Sequence, residues 1–178
     1  MGLRYENLDA ETRAFMLEEI EMDVASERVY LSARLNQRAQ GNWPDDLRDA
    51  ARSGSDDTLA CRLRATTSLN RTELRRNQRG GVSPAQVPNN AAEVLAESEF
   101  NRYYVRGLCR RAIANGIPRL EVYRAKAVTQ PRPGSERLIG LRVDPQTVLI
   151  DVRASAGVET ALGVPPGPGS GITVRIPR

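Results

Sequence analysis

"FNRYYVRGLCRRAIANGIPRLEVYRAKAV" (residues 100–128) holds three of the five tyrosines, one of the two cysteines and the only lysine, with six arginines among them. Asn90 is placed to cap a long helix over residues 91–115, and Gly116 to end it. Val94, Val105, Leu108, Cys109 and Ala112 recur at helical spacing on one face of that helix. After the turn, residues 119–128 alternate as a strand, with Leu120 and Val122 on one side and Tyr123, Ala125 and Ala127 on the other. The unit is a helix-turn-strand, with arginine and tyrosine on its outer side.

Upstream, "DAETRAFMLEEIEMDVASE" opens on Asp9 as an N-cap and carries Phe15, Met16, Ile20 and Val24 at helical spacing, surrounded by acids. "GNWPDDLRDAARSG" predicts a helix whose first position is Pro44 and whose stop is Gly54. Ser55 caps a third helix through "DDTLACRLRA". "TELRRNQRGGVSPAQVPNN" reads as a β-hairpin excursion or a linker around Gly80-Gly81. Downstream, Asp144-Pro145 opens a short helix through Arg153. The Pro/Gly run from Gly163 then leads into the alternating "ITVRI", a strand in need of a partner.

These elements predict a helix-rich α+β protein: a helical N-terminal part, then a long helix packed on a small sheet, with an extended C-terminal arm. The expected divisions are an acidic helical part (1–66), a polar basic loop or hairpin (67–90), a basic helix-strand-helix part (91–160) and the arm (161–178). No internal repeat is present. No apolar run approaches the roughly 20 residues that span a bilayer. The opening "MGLRYENLDAETR" carries acids where a signal peptide needs a basic and then an apolar run, and Glu6 breaks the myristoylation pattern.

The chain has no histidine, which removes Ser-His-Asp and Cys-His activation, most zinc sites and the usual proton shuttle. Cys61 and Cys109 suit no metal spacing and read as buried thiols. Glu19 and Asp23 stand one helical turn apart, a spacing that holds a divalent cation when a further oxygen ligand joins. Solvated helix carboxylates are the simpler reading, so neither a metal nor any other cofactor is assigned. "GVPPGPGSG" fails as a phosphate loop, because proline has no N–H to donate and no Lys-Ser or Lys-Thr follows. No catalytic residue emerges, and an enzyme is not expected.

The net charge of +4 conceals an asymmetry. Residues 1–60 hold 7 Arg and 13 acids (7 − 13 = −6), and residues 61–178 hold 19 basic residues and 9 acids (19 − 9 = +10). An acidic head and a basic body attract copies of the same chain, or a polyanion through the body alone. Arg102, Arg106 and Arg110 fall at i, i+4, i+8, and the latter two have no acid near them in sequence. With Arg71, Arg75, Arg76 and Arg79 they form a candidate phosphate-contacting surface. The candidate protein-interface residues are Tyr103, Arg106, Arg110 and Tyr123, with Ile172, Val174 and Ile176 of the terminal strand.

The loop "RRNQRGGVSPAQVPNN" (75–90) together with "GVPPGPGSGITVRIPR" (163–178) resembles the loops and terminal arms with which small virion structural proteins of tailed bacteriophages reach neighbouring subunits. Capsid-associated and head-to-tail joining subunits are the types meant. The resemblance is architectural and transfers no residue roles; many decoration proteins are all-β, whereas this chain is helix-rich. It implies an assembly protein that binds other protein subunits, in a virion or in host cytoplasm before assembly, with no membrane partner. The alternative is a basic nucleic-acid-binding or regulatory protein of a phage or mobile element.

Overall fold

The computed structural model describes residues 2–76, 80–131 and 133–177. Helix α1 (Ala10–Ala25) begins where expected, because Asp9 accepts a hydrogen bond from the Thr12 amide at 3.1 Å. Helix α2 (Gln37–Ser53) begins well before Pro44, which lies inside it. The true cap is Asn36, whose side chain accepts from Ala39 N, and Ala39, Trp43 and Leu47 then bury one stripe at i, i+4, i+8. Helix α3 (Asp56–Ala65) carries the expected Ser55 cap, closed reciprocally by Thr58.

The connection over residues 67–90 is a hairpin: β1 (Thr72–Arg76) pairs antiparallel with β2 (Val82–Gln86). Helix α4 (Ala91–Ala114) matches the expected long helix, but Asn90 makes no side-chain cap bond. A turn supplies the entry instead, with Ala91 N donating to Pro88 O at 2.9 Å. Strand β3 (Leu120–Arg124), the short helix α5 (Pro133–Glu136), β4 (Arg142–Val143), α6 (Pro145–Ala154) and β5 (Ile172–Arg175) complete the chain. Asp144 caps α6, and Pro145 occupies its first turn.

Helix α4 is buried on nearly every side and packs against α1, α2, α3, α6 and β5. An all-round buried helix of this kind is the axis of a core. Met16, Leu47, Leu59, Phe100, Leu120, Val148 and Ile172 belong to one apolar cluster, so the acidic N-terminal helices and the basic C-terminal part share a core. Gly107 makes the α1–α4 crossing possible: a Cβ there would stand 2.7 Å from Met16 Cγ and 2.9 Å from Met16 N.

The second sheet has the order β4-β3-β5, antiparallel throughout. Its pairing overturns the expectation of an arm extended towards another subunit. Strand β5 lies against β3 of its own chain, with Val122 opposite Val174 and Arg124 opposite Ile172. Ile172 and Val174 are fully buried and not on offer to a neighbour, while Ile176 is half-buried. The physical cause lies in α4. Its Asn101 amide donates to Ile172 O and accepts from the Thr173 hydroxyl, while the Tyr104 hydroxyl donates to Val174 O. The Pro/Gly run returns the chain to this position through Gly171, whose φ of 69° and close approach to Lys126 O exclude a side chain. No helix among the described residues is long and apolar enough to cross a membrane.

Candidate functional site

The arginine stripe of α4 faces inwards. Arg106 is 2% exposed and Arg102 6%, and only Arg110 is partly open to solvent. Arg106 Nε donates to Glu19 Oε2 at 2.7 Å, and its Nη2 to Asp23 Oδ1 at 3.1 Å. Arg110 reaches Glu18 and Glu19, and Arg153 of α6 also donates to Glu19. These acids come from α1, some ninety positions earlier, which is why inspection of the local sequence leaves the stripe looking unpaired. The acidic head and basic body attract each other within one chain.

Tyr103 and Tyr123 are likewise taken up internally. The Tyr103 hydroxyl donates to Asp23 at 3.0 Å, and the Tyr123 hydroxyl donates to Arg4 O at 2.6 Å. Both side chains are buried, so the expected outer surface of arginine and tyrosine is a core feature. Glu19 and Asp23 are committed to guanidiniums rather than arranged around a cation. Burial alone would raise the Glu19 carboxyl, but hydrogen bonds and charge from Arg153 and Arg106 outweigh it and hold the group below the ordinary glutamate range. Burial pushes the Cys109 thiol well up, as expected of an inert thiol. Cys61, expected to be buried, is exposed on α3.

Two features remain open to partners. The first is the hairpin. Thr72, Leu74 and Arg76 share one face with Val82, Pro84 and Gln86, by the register Leu74 opposite Pro84 and Arg76 opposite Val82. Leu74 is 75% exposed and Val82 60%, the former the most exposed large apolar side chain described. The opposite face is charged and tethered: Arg34 Nε donates to Glu73 Oε2 at 2.6 Å, and Arg75 joins the same carboxylate. Arg71, Arg75 and Arg76 are exposed here, while Arg79 lies outside the described residues. Sequence reading located the segment as basic but did not foresee its apolar outward face, which depends on strand register.

The second is a cleft of about 420 Å³ between α4, Glu73 of the hairpin, the 30–34 segment and the Ser155–Ser170 connection. Its walls include Tyr30, Val94, Leu95, Val158, Pro165 and Pro168. Arg102 and Glu99 line it as well, buried and one helical turn apart. Sequence reading placed Arg102 on a phosphate-contacting stripe with Arg106 and Arg110. The structure separates it from them, since Arg106 is consumed by α1 and Arg102 belongs to the cleft. Comparison with protein families, curated proteins and solved structures finds no match to this chain.

Proposed function

We propose that the protein is an assembly subunit that docks onto a partner protein through the outward face of the β1–β2 hairpin. The observation that carries this reading is the inverted amphipathicity of the hairpin, with its charged face tied to Arg34 and Leu74, Val82 and Pro84 turned outwards. An isolated two-stranded sheet is marginal in water, and an apolar face on it gains most by being covered. Each strand also has an edge paired with no other strand among the described residues, which suits strand addition. Arg76 ends the same face beside Val82 and Arg71 adjoins its other end, so the partner surface it fits is an apolar strip with an acidic rim.

A virion component of the kind the sequence resembles is one setting for such a subunit, with the hairpin rather than the C-terminal arm as the reaching element. The nucleic-acid alternative loses most of its support, because Arg102 and Arg106 are internal and the exposed hairpin arginines border an apolar face rather than a continuous basic groove.

The test is native mass spectrometry of tagged wild type and of a Leu74→Glu/Val82→Glu variant, each purified from the native host cell after nuclease treatment. The expected result is a complex of fixed stoichiometry with one other protein for wild type and free monomer for the variant. Recovery of both as monomers, or of both in the same complex, would refute the reading; a nucleic-acid-dependent complex would favour the alternative.

A further inference from the structure

Arg102 retains 6% exposure, and its buried Nε, Nη1 and Nη2 make no hydrogen bond. Its nearest acids are Glu99 Oε2 at 3.4 Å and Asp23 Oδ2 at 3.9 Å, both contacts of charge without hydrogen-bond geometry. Glu99 Oε2 is also buried without a hydrogen bond. Leaving several donors of a buried cation unsatisfied is costly, and native interiors rarely do so without a reason. Here the two side chains line the same cleft.

Several other polar groups of the cleft are spoken for. Glu97 accepts from Lys126 Nζ and from Gly169 N, and Asn101 is used at both ends on β5. Arg34 and Glu73 hold each other, and the Ser155 hydroxyl donates to Asp151. Among the residues lining the cleft, the buried side-chain atoms without a hydrogen bond are those of Arg102 and Glu99. Around them stand the aromatic, valine, leucine and proline side chains of the walls.

From this juxtaposition we infer that the cleft is a small-molecule site in which Arg102 grips a carboxylate or phosphoryl group carried on an apolar body. The planar fork of a guanidinium presents paired N–H groups that match two oxygens on one carbon or phosphorus. A cleft of about 420 Å³ lies within the range of roughly 300–1,000 Å³ typical of small-molecule sites, with apolar walls and few convergent polar groups. Glu99 supports the same class of ligand. Burial, with the Asp23 charge adding to it, raises its carboxyl against the opposing influence of Arg102 and Arg106. In its protonated form, which that shift favours, the Glu99 carboxyl donates its O–H to an arriving anion instead of repelling it. This inference does not depend on the docking role of the hairpin, because no atom of the apolar hairpin face lines the cleft.

The test uses the intact chain and four probes: benzoate, phenyl phosphate, inorganic phosphate and the uncharged benzamide. The readouts are isothermal titration and the side-chain Nε–H signal of Arg102 in ¹⁵N spectra. At least one of benzoate and phenyl phosphate is expected to saturate and to move the Arg102 signal, which also tells carboxylate from phosphoryl. Benzamide, and inorganic phosphate without an apolar body, are expected to bind at least about tenfold more weakly. Arg102→Gln is expected to weaken the favoured probe on the order of ten- to hundredfold, the range for hydrogen bonds to a charged group. Glu99→Gln, which retains a donor, is expected to keep binding within a few-fold. An Arg102 signal unmoved by every probe in the wild-type chain overturns the inference, even if Arg102→Gln proves too unstable to study. Binding that survives Arg102→Gln, or that is equal for benzoate and benzamide, also overturns it.

Discussion

Replacing Arg106 with methionine removes the guanidinium that joins Glu19 to Asp23 and keeps most of the side-chain volume. The two acids are left unequally. Glu19 retains hydrogen bonds from Arg153, whereas Asp23 retains the Tyr103 hydroxyl and a distant Arg102 at 3.9 Å. Asp23 is 4% exposed and Glu19 fully buried, so the loss strands charge in a poorly solvated place. Removing one partner of a buried pair costs about 3–5 kcal/mol. For a chain of 178 residues each kcal/mol moves Tm by about 2–4 °C, which puts the expected fall at about 6–20 °C. Urea unfolding followed by circular dichroism measures the free energy, and a thermal scan the shift. The double variant Arg106→Met/Asp23→Leu should recover part of the loss, because no charge is then stranded at position 23. A cost under about 1 kcal/mol, the value for solvent-exposed pairs, would refute the inward placement of the α4 arginines.

Further expectations follow from the same packing. Gly107→Ala should destabilise by about 1–3 kcal/mol in urea unfolding, the usual cost of overpacking, because the new methyl meets backbone as well as side-chain atoms of Met16. Glu19 has a lowered folded pKa, so its contribution is complete above the ordinary glutamate value and is lost as pH falls through the lower folded value. Acid unfolding of Glu19→Gln should therefore show a shallower loss of stability on that limb. Glu99 has the opposite sign: its raised folded pKa favours the protonated form, so its contribution is present at low pH and disappears as pH rises through the folded value. Urea midpoints of wild type and Glu99→Gln should thus diverge in the variant's favour as pH rises from the ordinary glutamate value through the raised folded one. Leu74→Glu should leave the unfolding free energy unchanged within about 0.5 kcal/mol, since that side chain touches little of the body.

What was legible in the sequence is local in origin. The caps Asp9, Ser55 and Asp144 act on amides three positions away, and each makes its bond. The long helix and the strand after it were legible because periodicity and Gly116 mark them within a single stretch. Pro44 misled, since proline suits a first helical turn, and the stronger signal was the apolar stripe Ala39-Trp43-Leu47 running through it. The largest correction concerns charge. An arginine stripe without acids nearby reads as an outer surface, but the acids that meet Arg106 are 87 and 83 positions distant on α1. The same limit applies to β5, whose partners on β3 and on α4 lie 48 to 72 positions away (172 − 124 = 48 at the nearest). Glu99 and Arg102 look like an ordinary solvated i, i+3 pair, and only the folds of the 30–34 and 155–170 segments enclose them.

A photo-cross-linking residue placed at position 74, compared with one at the exposed Ile150 of α6, tests the outward role of the hairpin most directly. Irradiated in the native host cell, the position-74 chain is expected to give one discrete adduct with another protein, and the position-150 chain none. Equal adduct patterns at both positions, or adducts at 74 only with nucleic acid, would contradict the account.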